Sequence, residues 1–224
     1  MHDENIDDIQ LAEDIQTHGC PVCNRIWHEV MDFFSSRVYS LANDKNAQKE
    51  TADSPGLCPF HIWQLVSIGS PQGISLGYEK LVKRITDELG FLSLSIENDS
   101  PMLSNIIIDS ADCRACSITQ KTENSYIKRL ALFLTVEDNK NIYISYNGVC
   151  LRHLSKLMII SGTEMKRLLL NHASSRFRQW SQDMYQYGSK QKNSQRHLCT
   201  HNERIAHLIA LTHIAGRKHV HIGK

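Results

Sequence analysis

Gly56-Leu57-Cys58-Pro59-Phe60-His61-Ile62-Trp63-Gln64-Leu65 returns later in the chain as Gly148-Val149-Cys150-Leu151-Arg152-His153-Leu154-Ser155-Lys156-Leu157. Glycine, an aliphatic residue, cysteine, histidine, a second aliphatic residue and leucine fall in register. A C-x-x-C pair precedes each copy: Cys20-Pro21-Val22-Cys23 the first, Cys113-Arg114-Ala115-Cys116 the second. The intervening stretches are 34 and 33 residues, and six of the seven cysteines belong to the pattern. A fixed period with matched flanks predicts a duplicated unit. Two unrelated clusters of buried cysteine would not keep this register.

Each copy offers three thiolates and one imidazole, the donor set of a closed tetrahedral zinc site. The spacing predicts one Zn²⁺ on Cys20, Cys23, Cys58 and His61, and a second on Cys113, Cys116, Cys150 and His153. A glycine two residues before the ligand cysteine suits a tight metal-wrapping turn. The competing reading is a pair of [4Fe–4S] clusters with one histidine ligand each, although the compact cysteine run of ferredoxins is absent. Thioredoxin-like redox chemistry lacks its βαβ context. Haem attachment is excluded, because Asn24 and Ser117 follow the two C-x-x-C pairs.

The chain has 224 residues, 41 % hydrophobic and 22 % charged, enough for a substantial core. No apolar run reaches membrane-spanning length. The start, Met1-His2-Asp3-Glu4-Asn5, does not read as a secretory signal. Paired cysteines without such a signal point to metal in a reducing cytoplasm rather than disulfides. The net charge of +1 conceals two opposite halves. Residues 1–100 hold 16 acidic and 7 basic side chains; residues 101–224 hold 8 and 18. The basic half suits an acidic protein partner or nucleic acid, or the two halves attract one another within a chain or between chains. Arg176, Arg178, Lys190, Lys192, Arg196 and Arg204 are the candidate contacts, with Trp180, Tyr185 and Tyr187 among them.

Apolar periodicity predicts a mainly α fold of two pseudo-repeated helical modules, each stapled by a Cys₃His site. The first module covers 1–100, the second 101–188, and a basic His-rich tail with a short helix covers 189–224. Helices are expected at 5–19, 24–42, 59–68, 74–95, 116–135, 151–187 with a break near Gly162, and 203–215. Residues 43–56 read as a loop, Ile142-Tyr143-Ile144-Ser145-Tyr146 as a short strand, and Leu103–Ile108 as a short strand or a helical turn. Trp27, Phe33, Phe34 and Trp63 have core spacing. Arg25, Arg114 and Arg152 are candidates to offset a negatively charged metal site. His197, Cys199 and His201 offer a third, weaker site. No phosphate loop, G-x-S-x-G or H-E-x-x-H sequence occurs, so no catalytic residue is assigned.

The arrangement C-P-x-C, a long helix, then G-aliphatic-C-x-x-H-aliphatic resembles an uncharacterised prokaryotic family of duplicated helical Cys-pair/Cys-His modules. Cys20-Pro21-Val22-Cys23, Gly56-Leu57-Cys58 and His61 carry the resemblance, which covers roughly residues 18–185. The second copy matches more loosely, with Ala115 and no proline. The resemblance implies metal binding and helical structure, without an activity.

Overall fold

The computed structural model describes residues 8–54, 56–94, 106–107, 110–192 and 195–220. Among these residues the fold is wholly helical, as expected. Its helices are α1 (Asp8–Gln16), α2 (Pro21–Asn43), α3 (Lys45–Asp53), α4 (Pro59–Ile68) and α5 (Pro71–Leu94), followed by α6 (Arg114–Phe133), α7 (Glu137–Ser145), α8 (Leu151–Ile160), α9 (Thr163–Lys192) and α10 (His201–Ala215). A 3₁₀ turn at Arg196–Leu198 links the last two. Most of the Leu103–Ile108 segment lies outside the described residues.

Two stretches differ from expectation. The loop foreseen at 43–56 contains α3. Asp44 caps it by accepting from the Asn46 amide at 2.8 Å. Ala47, Thr51 and Ala52 then bury one face. The polar composition concealed a helix that needs only small side chains for packing. The strand foreseen at 142–146 is the end of α7. Glu137 and Asp138 occupy its first turn, where the helix dipole favours carboxylates. Buried Tyr143 anchors the helix, and its hydroxyl accepts from the Val149 amide at 3.3 Å.

The chain forms two compact units. One comprises the residues up to Trp27 together with Thr122–Val220; the other comprises His28–Lys121. Helices α2 and α6 each carry residues of both.

In the first unit, Leu11 and Ile15 of α1 are buried, and Asp14 accepts from the Tyr126 hydroxyl at 3.0 Å. Asp8 pairs with Arg129. Helices α9 and α10 run antiparallel, because Trp180 meets His213 at 4.7 Å between ring centroids while Lys190 meets Glu203 at 2.6 Å. Thr200 and Glu203 form a reciprocal capping box at the start of α10. Ala206, Ala210 and His213 are buried on its inner face.

In the second unit, Val30, Phe34 and Leu41 of α2 are buried with Leu65 of α4 and Leu81 of α5. Helix α3 doubles back beside α2: Arg37 donates to Thr51 Oγ1 at 2.7 Å, and Gln48 donates to the Leu41 carbonyl at 2.9 Å. Helix α5 approaches α2 closely at Gly77, where a Cβ would lie 2.9 Å from the Leu41 side chain. Trp63 does not join the core: it is 71 % exposed. Position 63 lies off the buried face of α4, which His61, Gln64 and Leu65 define.

Candidate metal centres

All four ligand pairs share one local construction. Cys20, Cys58, Cys113 and Cys150 each immediately precede a helix, and their carbonyls accept from the amides of Asn24, Ile62, Ser117 and Leu154 at 2.8–3.0 Å. Each is therefore an N-cap. The second ligand of each pair, Cys23, His61, Cys116 or His153, follows at N3. Pro21 and Pro59 sit at the first helical position, where a missing N–H costs nothing. Cys58 and Cys150 cap with nearly the same backbone angles, φ −62°, ψ 161° and φ −67°, ψ 162°, and their side chains make no capping hydrogen bond. The thiols turn towards the other donors instead. The positive end of each helix dipole then favours thiolate.

These pairs assemble crosswise, which corrects the pairing read from the sequence. Cys20 and Cys23 join Cys150 and His153; Cys58 and His61 join Cys113 and Cys116. Within each quartet the donor atoms all lie within 4.8 Å of one another. In the first, His153 Nδ1 lies 3.3, 3.5 and 3.1 Å from the sulfurs of Cys20, Cys23 and Cys150. The Cys23 and Cys150 sulfurs are 3.9 Å apart. In the second, His61 Nδ1 lies 3.2, 3.5 and 3.3 Å from the sulfurs of Cys58, Cys113 and Cys116. The Cys58 and Cys116 sulfurs are 3.7 Å apart. Each quartet brings two helix starts together: α2 with α8, and α4 with α6. Each could hold one metal ion.

Helix lengths explain the crossing. The 23 residues of α2 extend about 34 Å, whereas the nine of α3 return about 13 Å. That return leaves His61 beside Phe34, with ring centroids 6.1 Å apart, rather than at the start of α2.

The first quartet has a charged support. His153 Nε2 stands 3.1 Å from Glu123 Oε1, and Glu123 Oε2 accepts from Lys156 Nζ at 2.5 Å. Arg152 Nε lies 4.0 Å from the same carboxylate. Glu123 and His153 are both fully buried. A carboxylate on the outer nitrogen of a ligand histidine fixes its ring and tautomer. The end of α10 closes the other side. A Cβ on Gly216 would lie 3.6 Å from Cys23 Sγ. Arg217 donates to Asn24 Oδ1 at 2.7 Å and covers the Trp27 ring at 4.9 Å.

The turn that delivers Cys150 is gripped from two helices. The His172 ring nitrogen lies 2.9 Å from the Tyr146 carbonyl, and His213 Nε2 lies 3.4 Å from that of Gly148. Gly148 has φ +74°, and an added Cβ would lie 3.0 Å from both His172 and the Tyr143 hydroxyl. Gly148→Ala is expected to cost roughly 2–4 kcal/mol in denaturant unfolding, from the left-handed backbone plus crowding. Gly162→Ala, with open space around it, serves as the control near zero.

The second quartet is built differently. His61 makes T-shaped contacts with Phe34 and Phe60, the latter 5.1 Å away between ring centroids. Arg114 lies over the Phe33 ring at 5.9 Å. Cys116 is half-buried, whereas Cys58 and Cys113 are buried.

Without an ion, protons must be shared among these groups. Burial pushes the Cys20 thiol well above its usual range, while hydrogen bonds from Cys20 and Cys23 hold Cys150 far below. Burial opposes the charge on His153, yet its bonds to Cys150, Cys23 and Glu123 push it up to about 11. In the second quartet burial raises Cys113, but bonds from His61 and the Cys58 and Cys116 backbones bring it down to about 6. Burial and the Cys113 charge push Cys116 up. Negative charge thus gathers where a cation would replace the shared protons.

His197 and His201 are exposed and Cys199 is buried. Among the described residues they do not form a donor cluster; the two quartets are the groups of three or more donors within reach of one ion. Three of the six basic candidates are engaged internally. Arg176 donates to the Ile144 carbonyl, Lys190 to Glu203 and the Leu198 carbonyl, and Arg204 to the Cys199 carbonyl. Arg178, Lys192 and Arg196 are exposed. Glu123, Lys156, Gly216 and Arg217 were not foreseen. Glu123 had a signal: it falls on the buried stripe Thr119, Glu123, Tyr126, Ile127 and Leu130 of α6. A carboxylate on such a stripe calls for a buried partner.

No protein-family model, no curated protein and no solved structure matches this chain. Among the described residues, no helix is long and apolar enough to cross a membrane.

Proposed function

We propose that this protein is a non-enzymatic binding or scaffold protein whose helices are held by two structural zinc ions. Donor spacing carries the reading. Zn–S and Zn–N bonds of about 2.3 and 2.0–2.1 Å put tetrahedral donors about 3.8 Å apart for two sulfurs and about 3.5 Å for sulfur and nitrogen. Cys58–Cys116 and Cys23–Cys150 lie 3.7 and 3.9 Å apart, the sulfur-to-nitrogen separations are 3.1–3.5 Å, and all donor atoms of a quartet lie within 4.8 Å of one another. A [4Fe–4S] cluster places each ligand on a different iron, which requires a wider quartet. Three thiolates and one imidazole fill a tetrahedron, so zinc would have no open position for hydrolytic chemistry.

The exposed apolar side chains support a binding role. Trp63, Val82, Phe91 and Ile159 are each more than half exposed. The basic half suits an acidic partner, protein or nucleic acid, through the exposed Arg178, Lys192 and Arg196, since Arg176, Lys190 and Arg204 already serve internal contacts. The seven free thiols suit a reducing compartment such as the cytoplasm.

Elemental analysis of anaerobically purified protein tests the zinc reading. Two zinc ions per chain and no visible colour are expected. A brown protein absorbing near roughly 400 nm, with iron in place of zinc, would overturn it in favour of an iron–sulfur protein of electron transfer or metalloenzyme maturation.

A further inference from the structure

We propose that the two quartets have different tasks: the first is a permanent staple, and the second is a hydroperoxide-responsive thiolate–zinc site. In it Cys116 is the thiolate oxidised first and Cys58 the one that closes a disulfide with it. The inference rests on the zinc reading and adds a regulatory role to one site.

Two differences between the quartets carry it, together with one distance. Access is the first. Cys20, Cys23, Cys150 and His153 are at most 1 % exposed, whereas Cys116 is the one ligand of the eight that is half-buried. Support is the second. A buried carboxylate, Glu123, stands 3.1 Å from His153 Nε2 and pairs with Lys156 and Arg152 in turn, and the chain at Gly216 lies against Cys23. His61 instead makes T-shaped contacts with two aromatic rings. Outer carboxylates of this kind raise metal affinity. Geometry then names the partner: the sulfurs of Cys58 and Cys116 lie 3.7 Å apart, a separation that Cys23 and Cys150 match at 3.9 Å in the closed quartet.

The chemistry is a two-electron oxidation with ROOH as the oxidant. The Cys116 thiolate attacks one peroxide oxygen and the O–O bond breaks. RO⁻ leaves and takes a proton to become ROH, and Cys116 becomes a sulfenic acid. The Cys58 thiolate then attacks that sulfur. The S–S bond forms, and hydroxide leaves and is protonated to water. Two thiolates, one ROOH and two protons thus give one disulfide, ROH and water. Only Cys113 and His61 then remain for the ion, and zinc dissociates.

The test uses the full zinc-loaded chain, with zinc content measured first. Hydrogen peroxide is added, zinc release is followed with a chromogenic chelator, and free thiols are blocked with N-ethylmaleimide before peptide mapping. One equivalent of zinc is expected to leave at least about tenfold faster than the second, the scale on which outer-shell support separates sites. A Cys58–Cys116 disulfide should appear with it, and a thiol reductant plus zinc should reverse both. Cys116→His, which keeps a zinc ligand without an oxidisable sulfur, should retain two zinc ions and lose the fast phase. Should that variant not fold, the wild-type disulfide map decides alone. Two zinc ions leaving at one rate, a first disulfide among Cys20, Cys23 and Cys150, or a first disulfide between Cys113 and Cys116 would each overturn the proposal. A protein that carries no zinc would instead remove the reading on which it rests.

Discussion

Chains carrying Cys20→Ser together with Cys150→Ser are expected to hold one zinc ion, and chains carrying Cys20→Ser with Cys58→Ser none. The first pair removes two ligands from one quartet; the second removes one from each. Pairing within each sequence copy would give the opposite outcome. A structural zinc contributes an apparent binding free energy of about 10–16 kcal/mol in small zinc domains, comparable to or above the stability of a whole domain. Loss of one ion should therefore unfold or loosen its own unit. Stability should also be strongly non-additive for Cys20→Ser with Cys150→Ser, since the second change finds the site already lost. Additive effects there, or one zinc retained in the Cys20→Ser/Cys58→Ser chain, would refute the crosswise assembly. Zinc stoichiometry and urea unfolding are the two measurements.

Glu123→Ala is expected to weaken zinc at the first quartet by about ten- to a hundredfold and leave the second unchanged. It removes the group 3.1 Å from His153 Nε2 and strips Lys156 of the carboxylate it reaches at 2.5 Å. Breaking one side of a buried charge pair costs about 3–5 kcal/mol, chiefly because the survivor stays buried. Lys156 is 37 % exposed and can turn to water, so the lower end of that range is expected. Glu123→Gln keeps the shape and one acceptor oxygen, and should recover part of the loss. Chelator competition on the two sites reads the affinity. Equal weakening of both sites would show that Glu123 acts on folding in general and not on His153.

The candidate donors were legible because metal chemistry restricts such donors to a few residue types at helical spacing. C-x-x-C and C-x-x-H put one donor at the N-cap and one at N3, and Gly56 and Gly148 marked turns that have positive φ. The pairing was not legible, because both assignments use identical motifs. What separates them is the length of α2 set against α3, and α3 was read as a loop because its buried face is only alanine and threonine. The helical state of 142–146 was hidden by β-branched and aromatic residues, whose strand preference is outweighed by two acidic residues at the helix start. The closure of the first quartet by α10 was equally hidden. His213 and Gly216 sit among histidines and basic residues that read as solvated, and their burial comes from contacts with distant parts of the chain.

The order of assembly during synthesis follows from how the ligand pairs are nested. Cys58 and Cys116 are 58 residues apart, whereas Cys23 and His153 are 130 apart and enclose them. At about 5–20 residues per second, the first two thiols emerge about 6–26 s before their histidine exists. The inner donor set is complete first, and its closure would shorten the span the outer one must bridge and lower its entropic cost. The earliest cysteines made would thus be the last to meet their partners, leaving Cys20 and Cys23 exposed the longest in a nascent chain.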